Sequence, residues 1–341
     1  MTPAKANVNS QHVIALDVGG TTVKASLMDD ALRSTAALSL TTPRRQGPGA
    51  VLDTIARAIA RLRLRADELE LHVAHVGVAV PGVVDDDTGS VVHSSNLGFD
   101  HVPLASLLRD RTGLPVAVGH DVRAGGLAEA RLGAARGTRN ALFVAIGTGI
   151  AAALIADGRM LHGGGYAGEV GHIVVDPLGP RCACGNRGCL ESIASAAALT
   201  TAMNDRVARK VTGSAEVAAR LKEGDRDAQD VWTRAVHALA TALAMLTTTL
   251  APEVIVVGGG LCEADDLLLA PLRTELLGRL SFQRRPILTK AALGARAGVL
   301  GAGLLAWRAA GGRPLDDRDG HRTVGARPVS EESPPHARTL P

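Results

Sequence analysis

Residues 16–24, LDVGGTTVK, form a strand-like run that breaks into two glycines, and the same pattern returns at 144–152 as VAIGTGIAA. Strand, glycine turn and a further apolar segment follow in that order both times. A supersecondary unit repeated so far along a chain predicts two similar halves. The glycines leave backbone N–H groups open, and Thr21, Thr22 and Lys24 add hydroxyls and a cation, a set suited to phosphate. One such turn per half predicts two phosphate hairpins facing across a cleft. Alone, the first turn would also fit an ordinary glycine hairpin, and its recurrence weighs against that reading.

Other glycine-rich readings fail on their context. No G-x-x-x-x-G-K-[ST] segment occurs, which removes the P-loop. GTGIAA and GGGYAG (163–168) loosely fit dinucleotide fingerprints. After the first, however, the apolar run stops at ADGR, too early for the required helix, and after the second comes a cysteine-rich loop.

The 341 residues allow about two domains. Strand-like runs at 12–18, 23–28, 75–80, 114–119, 140–146 and 252–260 alternate with helical segments at 50–66 and 225–250, the order of an α/β protein. In the second helix Val231, Ala235, Ala238, Ala242 and Leu246 share a face expected to be buried. From Gly311 onward apolar periodicity ends, so 311–341 is expected to be a disordered tail. Mean hydropathy is +0.14, yet the apolar runs are short, so no membrane span is expected. Residues 1–12 lack the apolar core of an export signal, which points to a reducing, cytoplasmic setting. A net charge of +3 and 2% aromatics give little for nucleic acid to bind.

Three of the four cysteines fall between residues 182 and 189. His172, Cys182, Cys184 and Cys189 supply one imidazole and three thiolates, the ligand set of a closed tetrahedral structural zinc site. Gly185 and Gly188 suit a knuckle that needs positive φ, and Pro177 and Pro180 stiffen the span back to His172. A disulfide or ordinary buried thiols are the alternative, opposed by the short spacing and the reducing compartment. Cys262 has no partner and reads as a small core residue. Glu169 and Glu191 flank the cysteine loop; with the second ring nitrogen of a zinc-bound His172 they could form a polar fork for sugar hydroxyls, or be plain solvated charges.

DVGGTTVK, GVAVPGVVDDDTGSVVHSSNLGF (77–99), GTG, GEVGH and CACGNRGCLE together resemble the ROK family of bacterial sugar kinases, over residues 12 to 309. The resemblance implies an α/β, actin-like ATPase fold in which two ribonuclease-H-like domains close over ATP and a hexose. It places the N-terminal domain at 12–119, with a C-terminal helix (296–310) packing back on it, and the second domain at 120–295, with the zinc loop at 169–191. It assigns Asp121 as the base for the sugar 6-hydroxyl and Asp17 to hydrated Mg²⁺. Gly19, Gly20, Thr21, Thr22 and Lys24 would meet the phosphates from one side, and Gly147, Thr148 and Gly149 from the other. Gly258, Gly259 and Gly260 match the adenosine-side turn, which could otherwise be a plain strand end. Glu169, His172, Glu191 and Asn96 match hydroxyl-binding positions.

One position departs from the family pattern. His120 stands where members commonly have Asn before the catalytic aspartate. An imidazole is wider and titrates near neutral pH, so both epimer preference and pH profile are expected to respond, unless His120 is a packed residue without ligand contact. Asp121 without the resemblance would be an ordinary helix N-cap. The expected activity is ATP-dependent hexose phosphorylation, glucokinase first, with N-acetylmannosamine, N-acetylglucosamine or fructose kinase as alternatives and assembly into dimers or tetramers. A sugar-sensing regulator of the same family is disfavoured, because the first strand begins near residue 12 and leaves no room for a helix-turn-helix.

Overall fold

A computed structural model describes residues 11–311; of the tail expected to be disordered, all but Gly311 lies outside the described residues. The chain opens with a three-strand meander, β1 (Gln11–Val18), β2 (Thr22–Met28) and β3 (Ser34–Thr41). Helix α1 (Pro48–Glu68) leads to β4 (His72–Val80), which lies parallel to β1. A small antiparallel sheet follows, β5 (Val83–Asp85), β6 (Ser90–Ser94) and β7 (Phe99–Val102). Then α2 (Leu104–Thr112) and β8 (Val116–His120) complete a five-stranded sheet in the order β3-β2-β1-β4-β8.

Helix α3 (Asp121–Leu132) crosses to a second meander, β9 (Ala141–Ile146), β10 (Ile150–Ala156) and β11 (Arg159–Met160). After the cysteine loop come α4 (Glu191–Ala194), α5 (Ala196–Asn204), α6 (Ser214–Lys222) and α7 (Arg226–Leu250). β12 (Val254–Gly258), α8 (Asp266–Gly278), β13 (Ile287–Lys290) and α9 (Ala297–Ala309) end the fold. The second sheet runs β11-β10-β9-β12-β13, so each sheet is an antiparallel meander extended by two parallel strands. The repeated glycine turns occupy equivalent places, each joining the first two strands of its meander.

Parallel strands are covered on both faces and therefore read as continuous apolar runs. In β1, Val13, Ile14, Ala15 and Leu16 are all buried, α1 covering one face and α9 the other. β3 was not legible as a strand. Its sequence STAALSLT is poor in β-branched and aromatic residues, and it lies at the sheet edge with alternate residues exposed. In α7, Val231, Ala235, Ala238 and Ala242 are buried as expected. Leu246 is only partly so, and Trp232, Val236, Leu239 and Leu243 widen the stripe.

The last helix returns to the first sheet and also crosses α3. A Cβ on Gly301 would lie 2.1 Å from the Ala124 carbonyl oxygen, and one on Gly77 would lie 2.0 Å from that of Ala302. Only glycine permits these approaches. Trp307 Nε1 donates to the Asp29 carbonyl at 3.1 Å and anchors the helix end. Among the described residues no helix is long and apolar enough to cross a membrane.

Candidate active site

The turn between β1 and β2 is held by its own backbone and by a threonine from the end of β3. Gly19 N–H donates to the Thr22 carbonyl at 2.9 Å, while the buried Thr42 hydroxyl donates to the Gly19 carbonyl at 2.7 Å. A Cβ on Gly20 would lie 3.7 Å from the Asn96 Cβ, so the exposed Asn96 sits beside the turn. Thr21 is exposed, and Thr22 and Lys24 are half-buried. Asp17 and Lys24 are cross-strand partners and project to one face. Lys24 Nζ donates to the Ala295 carbonyl at 3.3 Å, and α9 meets Asp17 with a glycine, Gly298, whose Cβ would lie 2.6 Å from the carboxylate carbon.

Asp121 lies at the junction of β8 and α3. The sequence position would allow it to be the N-cap, but that place belongs to His120, whose extended backbone (φ −72°, ψ 136°) and ring Nδ1, accepting from Arg123 N–H at 3.4 Å, make the cap. Asp121 is the first helical residue; its Oδ1 accepts from Val122 N–H at 2.7 Å and stands 3.3 Å from His120 Nε2. With Nδ1 accepting, the neutral ring carries its proton on Nε2, which faces the carboxylate.

Burial controls the ionisation of this group. It pushes Asp121 up to about 6, against the opposing pull of the Val122 N–H and Arg123. Asp17 is likewise pushed up to about 6, first by burial and then by the Asp121 charge, with Lys24 opposing. Two carboxylates repelling each other in one pocket are a fit environment for a cation. His120 corrects the sequence expectation of a group titrating near neutrality: burial and then Arg123 push it down to about 4, against Glu169 and Asp86. It is therefore neutral across the working range.

The cysteine loop begins where Gly168 (φ +104°) passes against β10. A Cβ there would lie 2.0 Å from the Ala152 carbonyl oxygen, and Ala152 N–H donates to the Gly168 carbonyl at 2.8 Å. The donor atoms of His172, Cys182, Cys184 and Cys189 all lie within 4.8 Å of one another. His172 Nδ1 is 3.6 Å from Cys182 Sγ, and its Nε2 is 4.0 Å from Glu169 Oε2. One ring nitrogen thus faces the sulfurs and the other faces Glu169. Gly185 (φ +94°) and Gly188 (φ +72°) take the left-handed conformations the knuckle requires, and a Cβ on Gly188 would meet the Asp176 carbonyl oxygen at 1.5 Å.

The donor set fits zinc on its chemistry. Burial and the neighbouring thiols push Cys189 up to about 12, whereas the Asn186 N–H holds Cys184 down to about 7. A divalent cation among them is what would let all three be thiolates. None of the four cysteines is disulfide-bonded. Cys262 is a core residue, its Sγ 3.0 Å from the Val257 carbonyl oxygen and away from the cluster.

Glu191 links this loop to the second glycine turn. Its Oε2 accepts from Ile150 N–H at 2.8 Å, just where a Cβ on Gly149 would intrude at 2.5 Å. The turn itself is closed by Gly147 N–H donating to the Gly149 carbonyl at 2.9 Å, with Thr148 exposed between them. Gly258 ends β12, and Gly259 (φ +83°) follows; a Cβ on Gly259 would lie 2.4 Å from the Ile146 carbonyl oxygen. A Cβ on Gly260, which opens the next turn, would meet nothing within 4 Å, and the Gly259 approach to Ile146 sets the third glycine cluster beside the second.

The Asp121 charge acts on Asp17, and the Glu169 charge acts on His120, so residues distant in sequence share one site. Thr42, Gly298 and, through its guanidinium on Asp86, Arg123 also shape it and were not legible beforehand, because each contributes through a contact made only in three dimensions.

Two sheets of one strand order, glycine turns at matching strand ends and a half-buried aspartate at a strand-to-helix junction define an actin-like, two-lobed fold. The family model described as ROK family matches residues 13–309, and the chain belongs to that family. A glucokinase of Halalkalibacterium halodurans is 32% identical, over 87% of this chain and 96% of that protein. An N-acetylmannosamine kinase of Citrobacter koseri is 31% identical, over 86% and 98%. A ROK family glucokinase from Streptomyces griseus, solved in complex with glucose and AMPPNP, is 28% identical with a TM-score of 0.73, over 87% of this chain and 99% of that one.

Proposed function

We propose that the chain is an ATP-dependent hexose kinase acting on the 6-hydroxyl, with glucose as the first substrate to test. The observation that carries this reading is Asp121: a carboxylate at a helix start, pushed up to about 6, beside a second carboxylate and near the glutamate of the cysteine loop. A base poised near 6 is ionised at neutral pH and can still hold a proton for long enough to release it.

The sugar is held by Glu169, Glu191, the ring nitrogen of His172 on the Glu169 side and Asn96. Asp121 accepts the 6-hydroxyl proton as the sugar oxygen bonds to the γ-phosphorus and the bond to the β-phosphate oxygen breaks, leaving ADP. The backbone N–H groups and hydroxyls of 19–22, with Lys24, orient the phosphates from the first lobe, and 147–149 do so from the second. Gly258–Gly260 leave room for the nucleoside. Asp17 would hold the water shell of magnesium, whose charge offsets that of the phosphates. His172, Cys182, Cys184 and Cys189 would hold zinc, which supplies a rigid frame for Glu169 and Glu191.

A coupled assay with ATP or polyphosphate, run across glucose, mannose, fructose, N-acetylglucosamine and N-acetylmannosamine, tests the reading; no turnover of any sugar refutes it. The 31% identity to an N-acetylmannosamine kinase makes that sugar the second candidate. A homodimer or homotetramer accompanies this proposal, and light scattering of the purified protein checks it.

A further inference from the structure

Two residues beyond Asp121, the side chain of Arg123 is 3% exposed, and its guanidinium donates to three residues on two separate segments. Nε and Nη2 donate to the two Asp86 oxygens at 3.2 and 3.3 Å, Nη2 also donates to the Val84 carbonyl at 2.9 Å, and Nη1 donates to the Gly165 carbonyl at 3.1 Å. Asp86 accepts in addition from His162 Nδ1. The segments so joined are the start of the small sheet and the loop at 162–165. They touch so closely that a Cβ on Gly165 (φ +94°) would lie 2.4 Å from the Val84 carbonyl oxygen.

Each tied segment leads directly to residues assigned to the sugar. From β5 the small sheet continues through β6 to Asn96. From 162–165 the chain passes through Gly168, pinned to β10, to Glu169 and His172. Arg123 itself is fixed to the base, since its backbone N–H is the one capped by His120. A buried arginine that satisfies a carboxylate and two carbonyls is costly to disturb, because removing either partner strands a charge. Lysine cannot replace it, having no planar fork with which to reach all three.

We propose that Arg123, with Asp86 and His162, is the positioning group of the sugar pocket, setting the distance from Asp121 to the hydroxyl-binding wall. Its guanidinium is committed to protein acceptors, so it acts through the residues it ties together. The inference rests on the kinase reading above, but the clasp can be tested apart from turnover.

The experiment compares the full-length protein with Arg123→Lys and Asp86→Asn. Steady-state kinetics are combined with glucose titration calorimetry and hydrogen exchange of the unliganded protein. The expected result is a rise in glucose KM and Kd of about tenfold or more, with ATP KM little changed. Exchange is expected to accelerate at 163–172 and not at 16–22 or 144–149. Unchanged exchange at 163–172 would overturn the clasp. Accelerated exchange there with unaltered glucose KM and Kd, or equal losses of glucose and ATP affinity, would reduce it to general structural support and overturn the positioning role. If the unaltered protein phosphorylates no sugar, the kinase reading falls while the exchange result still decides whether the clasp exists.

Discussion

Replacing Asp121 with Asn should trade activity for stability, and the size of the trade follows from its surroundings. In the fold its carboxyl rises from an ordinary 3.8 to about 6, chiefly through burial. Such a rise corresponds to about 3 kcal/mol of destabilisation once the group is fully ionised. The side chain is 29% exposed, so water screens part of that cost, and about 1–2 kcal/mol is the expected remainder. The sign is that of a raised acid: the folded protein holds the proton more firmly than the unfolded chain. This group's destabilisation is therefore absent below 3.8, grows as pH rises towards 6 and is constant above it. Asn removes the charge and keeps an oxygen to accept from Val122 N–H. Thermal denaturation without magnesium or nucleotide should show the Asn variant more stable at pH 8, with the advantage shrinking as pH falls from 6 towards 4. The kcat with glucose should fall about 10²–10⁴-fold. A variant that is no more stable at pH 8 than at pH 4 relative to the parent would refute the buried-charge argument, and near-normal kcat would refute the base.

Further outcomes follow from the same geometry. The kcat/KM should decline as pH drops through about 6, steepened by Asp17 titrating in the same range and without a limb from His120, which is held at about 4; a limb near 7 lost in His120→Asn would contradict this. Because Asn also caps helices well, that variant should fold normally and alter relative rates among glucose, mannose and N-acetylmannosamine. Chelation, or Cys184→Ser, should lower stability and raise glucose KM by about tenfold while ATP KM shifts far less; metal analysis and paired KM values check it. Gly149→Ala places a methyl 2.5 Å from a movable carboxylate oxygen and should weaken sugar binding, whereas Gly259→Ala meets an immovable carbonyl at 2.4 Å with φ +83° and should cost about 2–3 kcal/mol of stability, measured by denaturant midpoint.

Much of the site was legible because its chemistry is local. The glycine turns, the cysteine knuckle with its positive-φ glycines and the strand before Asp121 each depend on residues within a few positions of one another. The repeat of strand and turn likewise announced two halves, since apolar runs of that kind must be covered on both faces. Other features were illegible for an equally physical reason. β3 owes its conformation to pairing with β2, against weak intrinsic preference.

Amino-acid order alone determined which donors could meet phosphate or metal, because turn conformation and ligand spacing are properties of short segments. Only the tertiary structure decided that His120 is neutral and caps a helix, that burial raises Asp121 and Asp121 in turn raises Asp17, and that Arg123 binds Asp86 across the chain. Those outcomes depend on burial and on distances between segments far apart in sequence, and neither exists until the two sheets and α3 have packed.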